Sequence, residues 1–250
     1  MSHLGSNGSQ PDDELENKLK LFRKRLSLVE GTQQDGHYEH YYGRKRDQVY
    51  LYIKRKIQSR ELQPGQLIDA QRITEELRVS RTPIQEAFTR LEQEGFIKMV
   101  PQVGVFVRTS TSNELFEKLL SRAVLEGVLA EWASKRIGDE ELQMLEELIQ
   151  LMESRRLSVQ QYSLLNREFH NVIHLTAGLS HIRMLVELQW DLVDYTTSTD
   201  ILFKPENMRL SLEEHMEILE HLRNRRPLEA RRAMEAHGMR VANLFRGTAD

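Results

Sequence analysis

The chain of 250 residues has no cysteine. This excludes disulfides, thiolate zinc sites, iron–sulfur clusters and cysteine nucleophiles. Any bound metal must then use histidine, carboxylate, amide or water ligands. No apolar run approaches the roughly 18 residues that a membrane-spanning helix needs, so no membrane partner is expected. Met1 to Gln10 lacks the basic-then-apolar pattern of a secretion signal. Together these absences predict a cytoplasmic protein. No H-E-x-x-H pair, phosphate-binding P-loop or G-x-S-x-G elbow occurs, and no obvious general base stands beside the histidines. An enzyme is therefore not expected. Strand-like runs are confined to one short region and vanish after Ser112.

What is present points to a mainly α protein of two domains. Hydrophobic residues make up 39% and charged residues 29%, enough for a real core under a charged surface. The net charge of −3 hides an asymmetry. Residues 41–110 hold 13 Lys and Arg against 8 Asp and Glu, inside an otherwise acidic chain. Such a basic block is expected where one domain meets phosphate. Residues 1–43 read as a partly disordered extension, with helical spacing only over 13–30 (Leu15, Leu19, Phe22, Leu26, Val29).

Residues 44–108 read as three helices and a hairpin. Val49, Ile53 and Ile57 mark the first helix, Ile73 and Leu77 the second. The third, about 83–94, presents Ile84, Ala87, Phe88 and Leu91, and Gly95 stops it. Ser80 or Thr82 is placed to cap it, and Thr82 to Gln85 has the spacing of a capping box. Two strand-like runs, 96–100 and 105–108, joined through Gly104, make a hairpin. This order is that of a winged helix-turn-helix. An exposed polar helix face is ordinary alone. Here Ser80, Arg81, Thr82 and Gln85 supply the hydroxyl, guanidinium and amide groups that reach phosphates and base edges, with Arg72 and Arg90 as further phosphate contacts and Gly104 bringing the hairpin tip close. The partner so implied is double-stranded DNA.

Residues 113–246 read as an antiparallel bundle of about six helices: 113–136, 139–155, 158–177, 181–200, 207–224 and 227–246. The Arg223–Arg226 run reads as a solvated helix end. Six of the nine histidines fall here: His170, His174, His181, His215, His221 and His237. Asn166 and His170 share a helix face, while His215 and His237 lie on separate helices that can converge on the bundle axis. Three neutral imidazoles around zinc, nickel, iron or manganese are sound coordination chemistry. Spacing leaves His174 and His221 as competitors. Arg122 and Glu126 have the i, i+4 spacing of a surface ion pair.

The runs LQPGQLID at 62–69, ELRVSRTPIQEAFTRLEQEG at 76–95 and PQVGVFV at 101–107 resemble the DNA-binding domain of GntR-type bacterial transcription regulators. The resemblance implies that Arg81 and Thr82 contact DNA. It places Gln85 where the family usually has a guanine-reading arginine, and Gln71 where some relatives have a DNA-contacting arginine. Glutamine pairs better with adenine, so a different operator is implied. Residues 113–246 resemble the FCD ligand-binding domain of the FadR subgroup, through Arg122-x-x-x-Glu126, NREFH at 166–170, Glu214-His215 and AMEAH at 233–237. The resemblance implies a divalent metal on Asn166, His170, His215 and His237, with Asn166 standing where metal-binding relatives have aspartate. It also implies Arg122 and Glu126 in binding a small carboxylate effector. The function so implied is a homodimeric regulator, by the family's habit a repressor, whose operator affinity the effector controls. A metal-dependent enzyme, or a metal that is structural or itself the signal, is the alternative.

Overall fold

The computed structural model describes residues 45–154, 157–196 and 201–246. The extension 1–43, with its helix expected over 13–30, lies outside the described residues. The N-terminal body comprises α1 (Lys45–Gln58), α2 (Ala70–Leu77), α3 (Arg81–Gln93), β1 (Ile97–Val100) and β2 (Gly104–Val107). Val49, Ile53, Ile57, Ile84, Phe88 and Leu91 are buried between α1 and α3 at helical spacing. Asp69 caps α2 by accepting from the backbone N–H groups of Gln71 and Arg72 at 2.9 and 3.0 Å. α3 begins two residues before its expected start. Ser80 occupies the cap position without a side-chain cap bond, and Thr82 lies inside the helix, so the capping box expected of Thr82 and Gln85 does not form. Gly95, at φ +84°, follows the end of α3 in the left-handed region, as expected.

β1 and β2 pair antiparallel, with Ile97 opposite Val107 and Val100 opposite Gly104. The stretch before α2 adds a third rung: Ile68 donates to the Val105 carbonyl at 2.7 Å, and Val107 to that of Gln66 at 2.9 Å. This is a winged helix-turn-helix.

The C-terminal body is helical: α4 (Ser112–Ser134), α5 (Asp139–Met152), α6 (Val159–Ala177), α7 (Ser180–Thr196), α8 (Pro205–Arg223) and α9 (Pro227–Asn243). Thr111 with Glu114, and Ser158 with Gln161, form the capping boxes that start α4 and α6. Both Pro205 and Pro227 serve as first helical residues, where the missing N–H has no intrahelical role. α8 thus starts two residues earlier than its periodicity suggests. Leu129, Leu145, Leu148, Phe169, Ile173 and Leu222 lie in one buried cluster. The Arg223–Arg226 run is exposed, as expected of a solvated helix end, and two of its arginines also tie it to neighbouring helices. Arg223 pairs with Glu146 of α5 at 2.5 Å, and Arg225 donates to the Ile137 carbonyl just past α4 at 2.9 Å.

α7 joins the two bodies. Leu192 is buried in the N-terminal core with α1, and Leu188 packs against it. Asp191 receives Lys54 of α1 at 2.9 Å and Arg167 of α6 at 2.8 Å.

α4 and α9 run antiparallel and close together. A β-carbon on Gly238 would lie 2.5 Å from the Ala123 β-carbon and 2.9 Å from its α-carbon, so no flexible side chain can yield. Gly238→Ala should destabilise the protein by about 1–3 kcal/mol through overpacking. A thermal midpoint equal to the parent's would show that α4 and α9 are not packed this tightly.

Candidate nucleic-acid interface and metal centre

α3 buries Pro83, Ile84, Ala87 and Phe88 and exposes Arg81, Thr82, Gln85 and Thr89. Arg81, Thr82 and Gln85 are therefore brought together on one outward face at the head of α3. Gln71 and Arg72 are also exposed, at the first turn of α2. Arg72 pairs with Glu76 at 2.7 Å, a contact open to solvent. Ser80 is exposed at the α3 cap position. Gln85 also reaches the wing, its amide 3.7 Å from the Met99 sulfur.

Two residues sit differently. Arg90 is engaged within the domain: it stacks 3.8 Å from the Tyr50 ring centroid and donates to Glu94 at 2.9 Å. Gly104 lies at φ +151°, where a β-carbon would come within 2.5 Å of the Leu67 side chain. The positive φ is reason enough for glycine there, since the exposed Leu67 side chain could move aside. The exposed tip of the wing is Pro101, Gln102 and Val103.

The helical body brings His170 of α6, His215 of α8 and His237 of α9 together, one donor atom of each lying within 4.8 Å of the others. All three are buried. Among the described residues, neither ring nitrogen of His170 or His215 has a hydrogen-bond partner. Buried polar atoms normally have one, so a cation fits this orphaned donor set. Burial lowers the pKa of His170 to about 3 and holds His215 well below its ordinary value. Both rings are thus neutral near pH 7, the form that ligates. Phe169 stacks on His215 at 4.3 Å between ring centroids and fixes its orientation.

Asn166, buried, lines the same cavity as His170, His237, Arg122, Trp190 and Ser211. An amide oxygen there brings no charge to an ion. The free space is about 40 Å³, room for an ion and a water or two.

Arg122 and Glu126 are buried, not the surface ion pair that their spacing suggests. Glu126 accepts the Trp190 indole N–H at 2.7 Å. Arg122 lies 4.0 Å over the Trp190 ring, its Nε 3.7 Å from Glu126 Oε2, too far for a hydrogen bond. Glu126 Oε1 also faces His170 Nδ1 at 3.5 Å and His174 Nε2 at 3.4 Å.

Spacing alone does not single out Glu214 and Arg240. Glu214 Oε2 is 2.6 Å from His237 Nδ1, which leaves Nε2 as that ring's free donor atom. Arg240 grips both Glu214 oxygens, at 2.5 and 2.7 Å, and reaches Ser211 at 2.8 Å. Burial opposes the Glu214 charge, but hydrogen bonds from His237 and Arg240 hold its pKa below the ordinary carboxylate range. The available signal was adjacency: Glu214 precedes one candidate ligand, and Arg240 is one turn from another.

A winged helix-turn-helix with a polar recognition face, carried on a helical body with a buried polar cavity, defines a DNA-binding regulator. The comparisons agree. The family model for bacterial regulatory proteins of the gntR family matches residues 45–107, and that for the FCD domain matches residues 117–240. The Nta operon transcriptional regulator of Aminobacter aminovorans is 32% identical over 188 residues, covering 72% of this chain and 84% of that protein. The HTH-type transcriptional repressor RspR of Escherichia coli is 24% identical, covering 80% and 88%. The fold is shared with a Rhodococcus GntR regulator (TM-score 0.63, 20% identity, 82% of this chain and 99% of that one). It is shared also with McbR/YncC of E. coli (TM-score 0.60, 21% identity, 79% and 94%). The chain belongs to the GntR family, in the FCD-containing subgroup typified by FadR. It is a DNA-binding transcriptional regulator and not an enzyme. No helix among the described residues is long and apolar enough to cross a membrane.

Removing the carboxylate that orients a ligating imidazole lowers metal affinity by roughly 10–100-fold. Glu214→Gln should show a loss of that size in a zinc competition titration. Parental affinity would mean that His237 does not bind the ion through Nε2.

Proposed function

We propose that the protein is a homodimeric repressor whose hold on a double-stranded operator is released by a small carboxylate, bound beside a divalent ion on His170, His215 and His237. Asn166 serves as a weak, uncharged fourth donor. The ion, whether zinc, nickel, iron or manganese, supplies positive charge to a carboxylate oxygen. Arg122 can hold another carboxylate through its planar guanidinium. At the operator, Arg81, Thr82 and Gln85 read base edges while Ser80, Gln71 and Arg72 sit near the phosphates. The protein works in the cytoplasm, where its DNA lies.

One observation carries the regulatory half. On α7, Trp190 lines the cavity, while Asp191 binds Lys54 and Leu192 enters the DNA-binding core. A carboxylate that enters the cavity meets the Trp190 ring in its wall. Displacing Trp190 shifts the helix on which the winged domain rests. Two half-sites one helical turn apart then no longer match the dimer.

Fluorescence anisotropy with the DNA upstream of the protein's own coding sequence tests the first half. Binding should fall steeply with salt, since several phosphates are neutralised. Arg81→Ala should abolish it with helical content unchanged; operator binding equal to the parent's would sink the recognition-face assignment. A thermal-shift panel of mono-, di- and tricarboxylates tests the second half. With a stabilising carboxylate in hand, Asp191→Asn should still bind DNA and that ligand. Its ligand-induced release should weaken by roughly fivefold or more, the scale of an ordinary allosteric coupling. Full release in that variant would show that the signal does not pass through Asp191.

A further inference from the structure

Glu126, His170 and His174 form a second cluster beside the three histidines and share His170 with it. Donor atoms at about 2.1 Å from a tetrahedral ion lie roughly 3.4 Å apart. Glu126 Oε1 is 3.5 Å from His170 Nδ1 and 3.4 Å from His174 Nε2, the edge lengths such an ion requires. His170 and His174 stand one turn apart on α6, and Glu126 faces them from α4. The Glu126 side chain is 0% exposed, that of His170 1% and that of His174 4%. Among the described residues, His170 Nδ1 and His174 Nε2 have no hydrogen-bond partner, and the Glu126 Oε1 that they face accepts from Trp190. At 3.4 and 3.5 Å the contacts are too long to be good hydrogen bonds, yet fit a shared cation.

The charge of the donor sets points the same way. With asparagine at position 166, the three-histidine cluster offers no anionic ligand. Glu126 supplies one. We propose that Glu126, His170 and His174 form a second divalent-cation position, which competes with the three-histidine position for His170. A neutral imidazole has one lone pair, so His170 serves one ion at a time. The competition rests on the three-histidine reading, but the Glu126 position stands without it. An ion on Glu126 neutralises the carboxylate that Arg122 faces and frees that guanidinium for an acidic ligand. It also draws on the oxygen that accepts from Trp190, so the choice of position is felt on α7.

Cobalt(II) titration of the full chain, followed by visible absorbance and tryptophan fluorescence, tests this. The parent should bind one ion per chain. His215→Ala should still bind one ion, with an altered visible spectrum and with tryptophan fluorescence quenched, since Trp190 touches Glu126. Adding Glu126→Gln or His174→Ala to that variant should cut affinity by roughly tenfold or more and relieve the quenching. Glutamine can keep the bond from Trp190, and circular dichroism checks each fold; His237→Ala offers a second background should His215→Ala unfold. Loss of all cobalt binding in folded His215→Ala would overturn the proposal. So would retained binding that ignores both Glu126→Gln and His174→Ala. An unchanged spectrum and affinity in His215→Ala would instead sink the three-histidine reading and leave the ion on Glu126.

Discussion

The hydrogen bond from the Trp190 indole to Glu126, at 2.7 Å, ties the buried centre of the helical body to the helix on which the winged domain rests. It pins α7 to α4 at the centre of the helical body. A buried carboxylate is costly unless it is paired and hydrogen-bonded. Glu126 meets that cost with one donor in Trp190 and a nearby positive charge in Arg122, while two imidazoles face it at longer range. One turn of α7 therefore has two obligations. Trp190 must satisfy Glu126 on the inside, and Asp191 and Leu192 must seat the winged domain on the outside. A change at the cavity that moves Trp190 cannot leave the other two in place.

The polar groups of the cavity are arranged in chains and not as isolated pairs. Ser211, Arg240, Glu214 and His237 form one such chain, each member fixing the next. Phe169 fixes His215 from one side. These supports hold imidazoles in a buried pocket without consuming the nitrogens of His170 and His215. An unpaired buried polar atom is tolerated where a ligand will satisfy it, and that is the physical content of the metal reading.

The DNA-binding side is simpler. α3 divides its surface cleanly: apolar residues at helical spacing make the core, and Arg81, Thr82 and Gln85 face outward. Arg90 sits on the same helix but nearer its far end, stacked on Tyr50. Its charge is spent on Glu94 and Asp47 within the domain.

Much of this was legible in the chain, because periodicity and punctuation are local. The 3.6-residue spacing, the prolines and the glycine stops marked every helix among the described residues, and the basic block marked the domain that meets phosphate. Boundaries failed where a cap had to be chosen. Thr82 and Gln85 had the spacing of a capping box, but the helix began one residue before Thr82. The histidines could be named from the sequence, yet spacing could not choose between His170 and His174 or between His215 and His221, since convergence depends on how separate helices cross. Only the tertiary structure decided that Arg122 and Glu126 are buried, that Glu126 faces His174, and that Glu214 and Arg240 stand behind His237. Those facts join residues far apart in the chain through packing, and packing has no local signature.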